Sequence, residues 1–129
     1  MTGPIGASRE SKRQKQKAER YGRAAESLAA VLLRLKRYRL IARDLRTPVG
    51  EIDLIAQRGN LVAFVEVKAR TGEATEVLSA GQRRRIVRAA ELFLASRPDL
   101  ARMDVRFDLI IIGGRRWPRH IQAAFRADD

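Results

Sequence analysis

The sequence predicts an α/β domain in which a mixed central β-sheet is flanked by helices, in the order αβββαββ. Two observations predict it. Apolar residues recur at helical spacing in two separate segments, and the segments between and after them carry the alternating or continuous apolar runs of strands. The chain has 129 residues, 45% of them hydrophobic, which is enough for one domain with its own core.

The elements follow from these patterns in chain order. They are a helix from about 20 to 37, strands at 40–46, 51–57 and 60–70, a helix at 79–96, a strand at 105–112 and a short strand at 121–125. Ser79 is predicted to cap the second helix, and Pro98 to stop it. Residues 1–19 are expected to form a flexible basic arm, 20–126 the folded domain, and 127–129 a tail.

Three charged residues in the central strands form the candidate functional site. Asp53, Glu66 and Lys68 lie inside apolar runs, where a half-buried sheet does not ordinarily place charge. Side chains alternate along a strand, so Glu66 and Lys68 share one face with Phe64. If Arg58-Gly59 is a two-residue hairpin turn, Asp53 opposes Phe64 and lies diagonal to Glu66, roughly 7–8 Å away. A three-residue loop would instead separate the two carboxylates onto opposite faces.

Two interpretations of this cluster are open from the residues alone. Carboxylate oxygens are the ligands that Mg²⁺ prefers, and a bound cation can activate water and stabilise charge on a phosphate. Lys68 would then orient or deprotonate the attacking water, or balance the developing negative charge. The alternative is an ordinary cross-strand ion pair on a solvated face.

The amino-acid composition indicates which kinds of partner, chemistry and location the protein can have. Lys and Arg number 27 against 15 Asp and Glu, so the net charge is +12 and the field favours a polyanion. The absence of cysteine excludes disulfides, cysteine-ligated zinc and cysteine nucleophiles. No apolar run approaches the ~20 residues that span a bilayer, and no signal-peptide core follows Met1. A cytoplasmic protein without a membrane partner is therefore expected.

Further candidates lie on the first two helices and in the last loop. Glu26 stands beside the apolar stripe of the first helix, where it either points at the sheet or pairs with a surface arginine. Trp117 either stacks on a base or packs on the sheet, and His120 receives no role. The candidate phosphate contacts are cationic or amide side chains near the start of the second helix and the end of the third strand: Arg70, Gln82, Arg83, Arg84, Arg85 and Arg88. A solvated helix face is the alternative for them.

The element order, with twelve residues between Asp53 and Glu66-x-Lys68, resembles the PD-(D/E)XK nuclease superfamily, the restriction-endonuclease-like fold. The closer resemblance, over about residues 20 to 126, is to the YraN family of uncharacterised bacterial proteins. It is carried by Tyr21-Gly22 with Ala25-Glu26, by Gly50-Glu51-Ile52-Asp53-Leu54-Ile55-Ala56, by Phe64-Val65-Glu66-Val67-Lys68-Ala69-Arg70, by Ala90-Glu91-Leu92-Phe93-Leu94, by Arg106-Phe107-Asp108 and by Ala124-Phe125.

The resemblance implies a chemistry for the cluster. Asp53 and Glu66 would bind Mg²⁺ or Mn²⁺, Lys68 would serve the attacking water, and Glu26 would assist the metal site. Archaeal Holliday-junction resolvases resemble the same core, which implies structured or branched DNA as substrate and a homodimer as the assembly. The leading hypothesis is thus a Mg²⁺-dependent endodeoxyribonuclease. Its rivals are a non-catalytic nucleic-acid-binding protein with a nuclease fold, and an adaptor at the ribosome or membrane.

Overall fold

A computed structural model describes residues 5–70, 78–113 and 117–129 of the chain. Its helices and strands, in chain order, are α1 (Ile5–Leu35), β1 (Arg39–Thr47), β2 (Gly50–Arg58), β3 (Leu61–Arg70), α2 (Ala80–Ala95), β4 (Asp104–Gly113) and β5 (Arg119–Phe125), with a single 3₁₀ turn at Pro98–Leu100 before β4. The predicted order of elements is confirmed. Within the described ranges, no helix is long and apolar enough to cross a membrane.

Helix α1 begins at Ile5, well before the predicted start near residue 20. The prediction rested on the apolar stripe, which the polar first half of this helix lacks. Lys, Arg, Gln, Glu and Ala have high helix propensity, so the segment is helical without an apolar face. Exposed residues such as Lys12, Arg13 and Arg20 lie in this half of the helix.

The five strands form one mixed sheet in the order β1-β2-β3-β4-β5. Three neighbouring pairs are antiparallel, and β3 pairs with β4 in parallel along its whole length, from Leu61 opposite Asp104 to Arg70 opposite Gly113. The parallel pair follows from the connection, because a parallel neighbour needs a crossover, and α2 lies in the crossover from β3 to β4. The predicted fold class, a mixed sheet flanked by helices, is confirmed.

Each helix packs on its own face of the sheet. On the α1 side, small residues such as Ala25 and Ala29 let the helix approach Leu54, Val65 and Ile110. On the α2 side the core is aromatic. Phe107 stacks between Phe64 and Phe125, at centroid distances of 5.7 and 5.1 Å.

The hairpin between β2 and β3 differs from its predicted register. Arg58 pairs with Leu61, so the two-residue turn is Gly59-Asn60 instead of Arg58-Gly59. Gly59 has a φ of 59°, a value that glycine adopts at no steric cost. Moving a two-residue turn by one position shifts the pairing by two residues and preserves the faces. In this register the position of Asp53 is directly opposite that of Glu66, whereas the predicted register placed the two residues diagonally.

Regular alternation would place Ile52, Leu54 and Ala56 on one face of β2, but this alternation is interrupted at Asp53. Ile52 packs in the cluster on the α2 side, together with Ile55, whereas Leu54 and Ala56 pack on the α1 side. One residue in this strand must therefore depart from the regular pleat. The departure falls at or beside Asp53.

Gly50 allows α2 to pack closely against the start of β2. A Cβ added to Gly50 would overlap the backbone carbonyl of Arg85. The first turns of α2 thus lie directly over the end of β2 that leads, three residues later, to Asp53. The first residue of the Gly-Glu-Ile-Asp motif must therefore be glycine for the two elements to pack this closely. The close packing brings the cationic end of α2 to this part of the sheet.

We predict that Gly50→Ala destabilises the fold by about 1–3 kcal/mol, because the backbone of α2 has to move away. The matched control is Gly22→Ala in α1, where an added Cβ meets nothing within 4 Å. That change should stabilise the helix by about 0.5–1 kcal/mol. Urea unfolding of both variants measures the difference. Equal free energies of unfolding in the two variants would contradict the close approach of α2.

Candidate metal and catalytic site

The carboxylates of Asp53 and Glu66 meet where the β2–β3 ladder ends. The last paired residues in this direction are Leu54 and Val65, and Asp53 and Glu66 are the next residue along each strand. The Oδ2 atom of Asp53 accepts a hydrogen bond from the backbone N–H of Val67 at 2.7 Å. The Asp53 side chain thereby satisfies a β3 donor in place of a backbone carbonyl. It is also hydrogen-bonded to Glu66.

Lys68 completes the cluster from the same face of β3 as Glu66. Its Nζ lies 3.9 Å from Oε1 of Glu66. The Glu66 side chain is 19% exposed and the Lys68 side chain 30% exposed. The two groups are therefore largely withdrawn from water but still reachable by a ligand. The predicted convergence of Asp53, Glu66 and Lys68 is found in the structure.

The electrostatics of this pair are those of two neighbouring acids that are largely withdrawn from water. Burial, and secondarily the neighbouring Asp53, raise the pKa of Glu66 from 4.5 to about 8. Burial also raises the pKa of Asp53, against the opposing effect of the Val67 N–H. Two half-buried carboxylates in contact disfavour the ionisation of both, although the Lys68 ammonium opposes this effect at each of them. A further cation at the pair would lower both pKa values.

The raised pKa of Glu66 makes the stability of the metal-free protein depend on pH. A raised pKa means that the folded state binds the proton more tightly than the unfolded chain. Glu66 therefore stabilises the fold fully below about pH 4.5, and this contribution is lost as the pH rises through about 8. We predict that the free energy of unfolding in EDTA falls by about 2–4 kcal/mol between pH 5 and 8 because of this group.

The control is Glu66→Gln, which keeps the shape of the side chain and cannot ionise. Urea unfolding at a series of pH values should give a flatter profile for this variant than for the wild type. If the free energy of unfolding varied with pH in the same way in both proteins, Glu66 would titrate as it does in the unfolded chain. The raised pKa of Glu66 would then be wrong.

A cleft of about 410 Å³ opens beside Asp53, between α1 and the ends of β1 and β2. It is lined by Glu19, Gly22, Arg23, Glu26, Asp44, Arg46, Glu51 and Asp53. Burial raises the pKa of Glu26, as do the nearby Asp53 and then Asp44. Glu26 therefore points towards the sheet and shares the cleft with Asp53, which is the first of the two alternatives for its orientation.

Asp44 is a cleft residue that sequence reasoning did not select. Its φ of 53° is a left-handed conformation inside a strand, which Asp and Asn tolerate better than most residues. Its carboxylate raises the pKa of both Glu26 and Asp53. The only sequence feature that could have indicated a role for Asp44 is that it is the one acidic residue of its strand.

The basic residues of α2 lie near this end of the sheet but do not contact the carboxylates. Arg84, Arg85 and Arg88 are exposed on the outer face of the helix, while Arg83 is half-buried. Gln82 has a local role, because its Oε1 accepts from the Ser79 N–H at 2.9 Å in a capping box. This confirms Ser79 as the N-cap. Arg70, also half-buried, ends β3 two residues beyond Lys68.

A second buried charged group, missed in the sequence, lies on β4. Asp108 is completely buried, and its carboxylate accepts two hydrogen bonds from Arg106, at 2.7 Å each. It also contacts Nε2 of His120 at 2.8 Å and accepts from the Ala123 N–H at 3.0 Å. Burial alone would raise the pKa of Asp108, but these hydrogen bonds lower it. The sequence offered only the isolated Arg106-Phe107-Asp108 motif.

The donor set of the Asp53–Glu66 pair fits a hard divalent cation. In the part of the chain that the structure describes, no three acidic or histidine side chains are grouped closely enough to hold a metal alone. Mg²⁺ is commonly held by one or two carboxylates, with water and phosphate oxygens as its other ligands. Asp53 and Glu66 supply two adjoining carboxylates, whose mutual repulsion a cation would relieve.

A mixed sheet between two helices, with Asp53, Glu66 and Lys68 converging from its second and third strands, is consistent with the restriction-endonuclease-like class. Comparison with known proteins defines the family. Residues 25–112 match the model of the uncharacterised protein family UPF0102, and the chain belongs to this family. The resemblance to the YraN family is thereby confirmed.

Relatives match along most of their length. A UPF0102 protein of Chelativorans sp. is 51% identical over 120 residues, which cover 92% of this chain and 97% of that protein. One of Parvibaculum lavamentivorans is 54% identical over 112 residues, 84% of each chain. One of Azorhizobium caulinodans is 45% identical over an alignment of 130 positions that covers 99% of both. None of these three names states an activity.

Proposed function

We propose that this protein is a divalent-cation-dependent endonuclease that hydrolyses phosphodiester bonds in structured DNA. One observation carries the proposal. Two half-buried carboxylates, Asp53 and Glu66, meet at the point where β2 and β3 stop pairing, 3.9 Å from the Lys68 ammonium and beside an open cleft. A purely structural Glu66–Lys68 ion pair has no need of a second acid beside it, because each carboxylate makes ionisation of the other more costly.

Asp53 and Glu66 are the proposed ligands of Mg²⁺ or Mn²⁺. When bound, the cation would lower the pKa of a coordinated water and stabilise negative charge on the phosphate. The Val67 N–H fixes one oxygen of Asp53 and so limits the orientation of that carboxylate. Glu26, across the cleft, adds negative potential near the pair and is a positioning residue in this proposal.

Lys68 is the proposed catalytic residue for water and charge. Its ammonium stands next to Glu66 on the partly exposed side of the cluster. From there it can donate a hydrogen bond to the attacking water or to a phosphate oxygen as negative charge develops. Hydrolysis by a directly activated water leaves no covalent intermediate on the protein.

DNA binding in this proposal is electrostatic. The net charge of +12 favours a polyanion, and exposed arginines of α2 lie at the end of the sheet that carries the carboxylates. Arg84, Arg85 and Arg88 are the proposed phosphate contacts, with Arg70, Gln82 and Arg83 closer to the sheet. A homodimer, which would match a two-fold symmetric branched substrate, and a cytoplasmic location belong to the same proposal.

The test is a cleavage assay of the purified protein on labelled duplex, single-stranded, flap and four-way-junction DNA and on RNA. Each substrate is incubated with Mg²⁺, with Mn²⁺ and with EDTA. We expect cation-dependent cutting of at least one DNA substrate, lost in a Lys68→Ala protein purified identically. Binding of all substrates without cutting of any would refute the nuclease and favour a non-catalytic nucleic-acid-binding protein.

A further inference from the structure

Trp117 is the most exposed large apolar side chain in the described part of the protein. It is 90% exposed and is the only tryptophan in the sequence. Packing on the sheet, one of the two roles considered for it, is therefore excluded. Tryptophan is usually well buried, so a fully exposed indole is a feature that folding alone does not account for.

Trp117 lies at the same end of the sheet as the carboxylate cluster. Ile111 of β4 pairs with Lys68 on one side and with Arg119 on the other, so these three residues form one row across the sheet. β5 runs antiparallel to β4, so residues before Arg119 continue in the direction in which β3 ends. Pro118 joins Trp117 to this row.

The separation from the cluster suits a nucleic-acid strand. Strands lie about 4.8 Å apart, so the backbones of Lys68 and Arg119 are about 10 Å apart, and two further residues add up to about 7 Å. At about 3.4 Å per stacked nucleotide, this corresponds to some three to five nucleotides. A strand with one phosphate at the cluster would therefore pass Trp117 a few nucleotides away.

We infer that Trp117 is a stacking platform for an unpaired base of a nucleic-acid strand bound at the carboxylate cluster, an inference that rests on the proposed function. An indole presents a flat π-face that stacks on any base. In a duplex the base faces are covered by their neighbours, so an unpaired base is the matching ligand. Arg119, exposed two residues away, supplies a cation for the adjoining phosphate, and the charge of +12 favours nucleic acid over a protein partner.

The fluorescence of a single tryptophan reports this contact directly. We titrate the full-length protein in EDTA with an oligothymidine of about a dozen nucleotides, and with a blunt duplex of equal length. We expect the single strand to quench the emission and the duplex to leave it nearly unchanged. Trp117→Ala should weaken single-strand binding by about 5- to 100-fold, as measured by anisotropy of labelled DNA. Trp117→Phe, which keeps an aromatic face, should retain most of the affinity.

Leu35→Ala is the matched control, since Leu35 is also an exposed large apolar residue, at 77%, but ends α1. It should bind as the wild type does. Unchanged emission together with undiminished binding by Trp117→Ala would overturn the inference. So would a blue shift that depends on protein concentration without DNA, because Trp117 would then be covered by a second copy. Quenching without cleavage of any substrate would support base stacking on Trp117 and refute the proposed nuclease. Cleavage without quenching would support the nuclease and refute base stacking on Trp117.

Discussion

Replacing Asp53 with Asn is expected to slow cation-dependent DNA cleavage by a factor of about 10³ or more. Cation catalysis contributes several kcal/mol of charge stabilisation, and about 4 kcal/mol corresponds to this factor. The substitution is nearly isosteric, and the Oδ1 of the new residue can still accept from the Val67 N–H, a contact that is 2.7 Å long in the wild type. The strand ends should therefore keep their arrangement while the charged ligand is lost.

DNA binding should be unchanged or slightly tighter in Asp53→Asn, because a negative charge is removed from the proposed phosphate-binding site. The matched control is Asp104→Asn, which makes the same chemical change at an exposed position where β4 begins, at the other end of the sheet. It should cleave at the wild-type rate. Cleavage by Asp53→Asn within about threefold of wild type would refute the assignment.

Replacing Asp108 with Ala is expected to cost about 3–5 kcal/mol of unfolding free energy. The change leaves the Arg106 guanidinium and the Ala123 N–H without their acceptor in the interior. His120 would lose a partner as well. Because breaking a buried pair leaves an uncompensated charge, the effect should far exceed that of removing an exposed pair. Urea unfolding measures it.

The control for Asp108 is Asp99→Ala. Asp99 pairs with Arg97 at 2.9 Å, but both side chains are exposed to water, at 58% and 36%. Exposed ion pairs contribute little, so the free energy of unfolding of this variant should equal that of the wild type. An equal free energy of unfolding in Asp108→Ala and the wild type would show that the network around Asp108 does not stabilise the fold.

His120 shows why this network could not be read from the sequence. Its Nε2 contacts Asp108 and its Nδ1 lies 2.8 Å from Nζ of Lys36, eighty-four residues earlier in the chain. The two ring nitrogens therefore join charged groups from two distant segments of the chain. The bulge that brings the Ala123 N–H to Asp108 depends on a φ of 52° at Ala123, which no turn residue signals.

The pairing of β2 with β3 was more predictable than the local shape of β2. Both possible two-residue turns make residues 53 and 66 near neighbours across the two strands, although the predicted turn was displaced by one residue. The interruption of alternation at Asp53 was not predictable, since it depends on contacts with both helices. The resemblance to the family was identified from segments that include Gly-Glu-Ile-Asp and Val-Glu-Val-Lys, and in the structure Asp53 and Glu66 of these segments are the residues next to the last pair of the β2–β3 ladder.

The central claim, that Asp53 and Glu66 hold a divalent cation, is tested most directly by calorimetric titration of MnCl₂ into metal-free protein at pH 7. Two buffers of different ionisation enthalpy report the protons released, and Glu66→Gln and Asp104→Asn are titrated alongside. Because the pKa of Glu66 is raised to about 8, we predict that the wild type binds Mn²⁺ and releases about one proton. Asp104→Asn should behave identically, while Glu66→Gln should bind at least about tenfold more weakly and release none. Absence of binding by the wild type, or equal affinity and proton release in Glu66→Gln, would contradict the account.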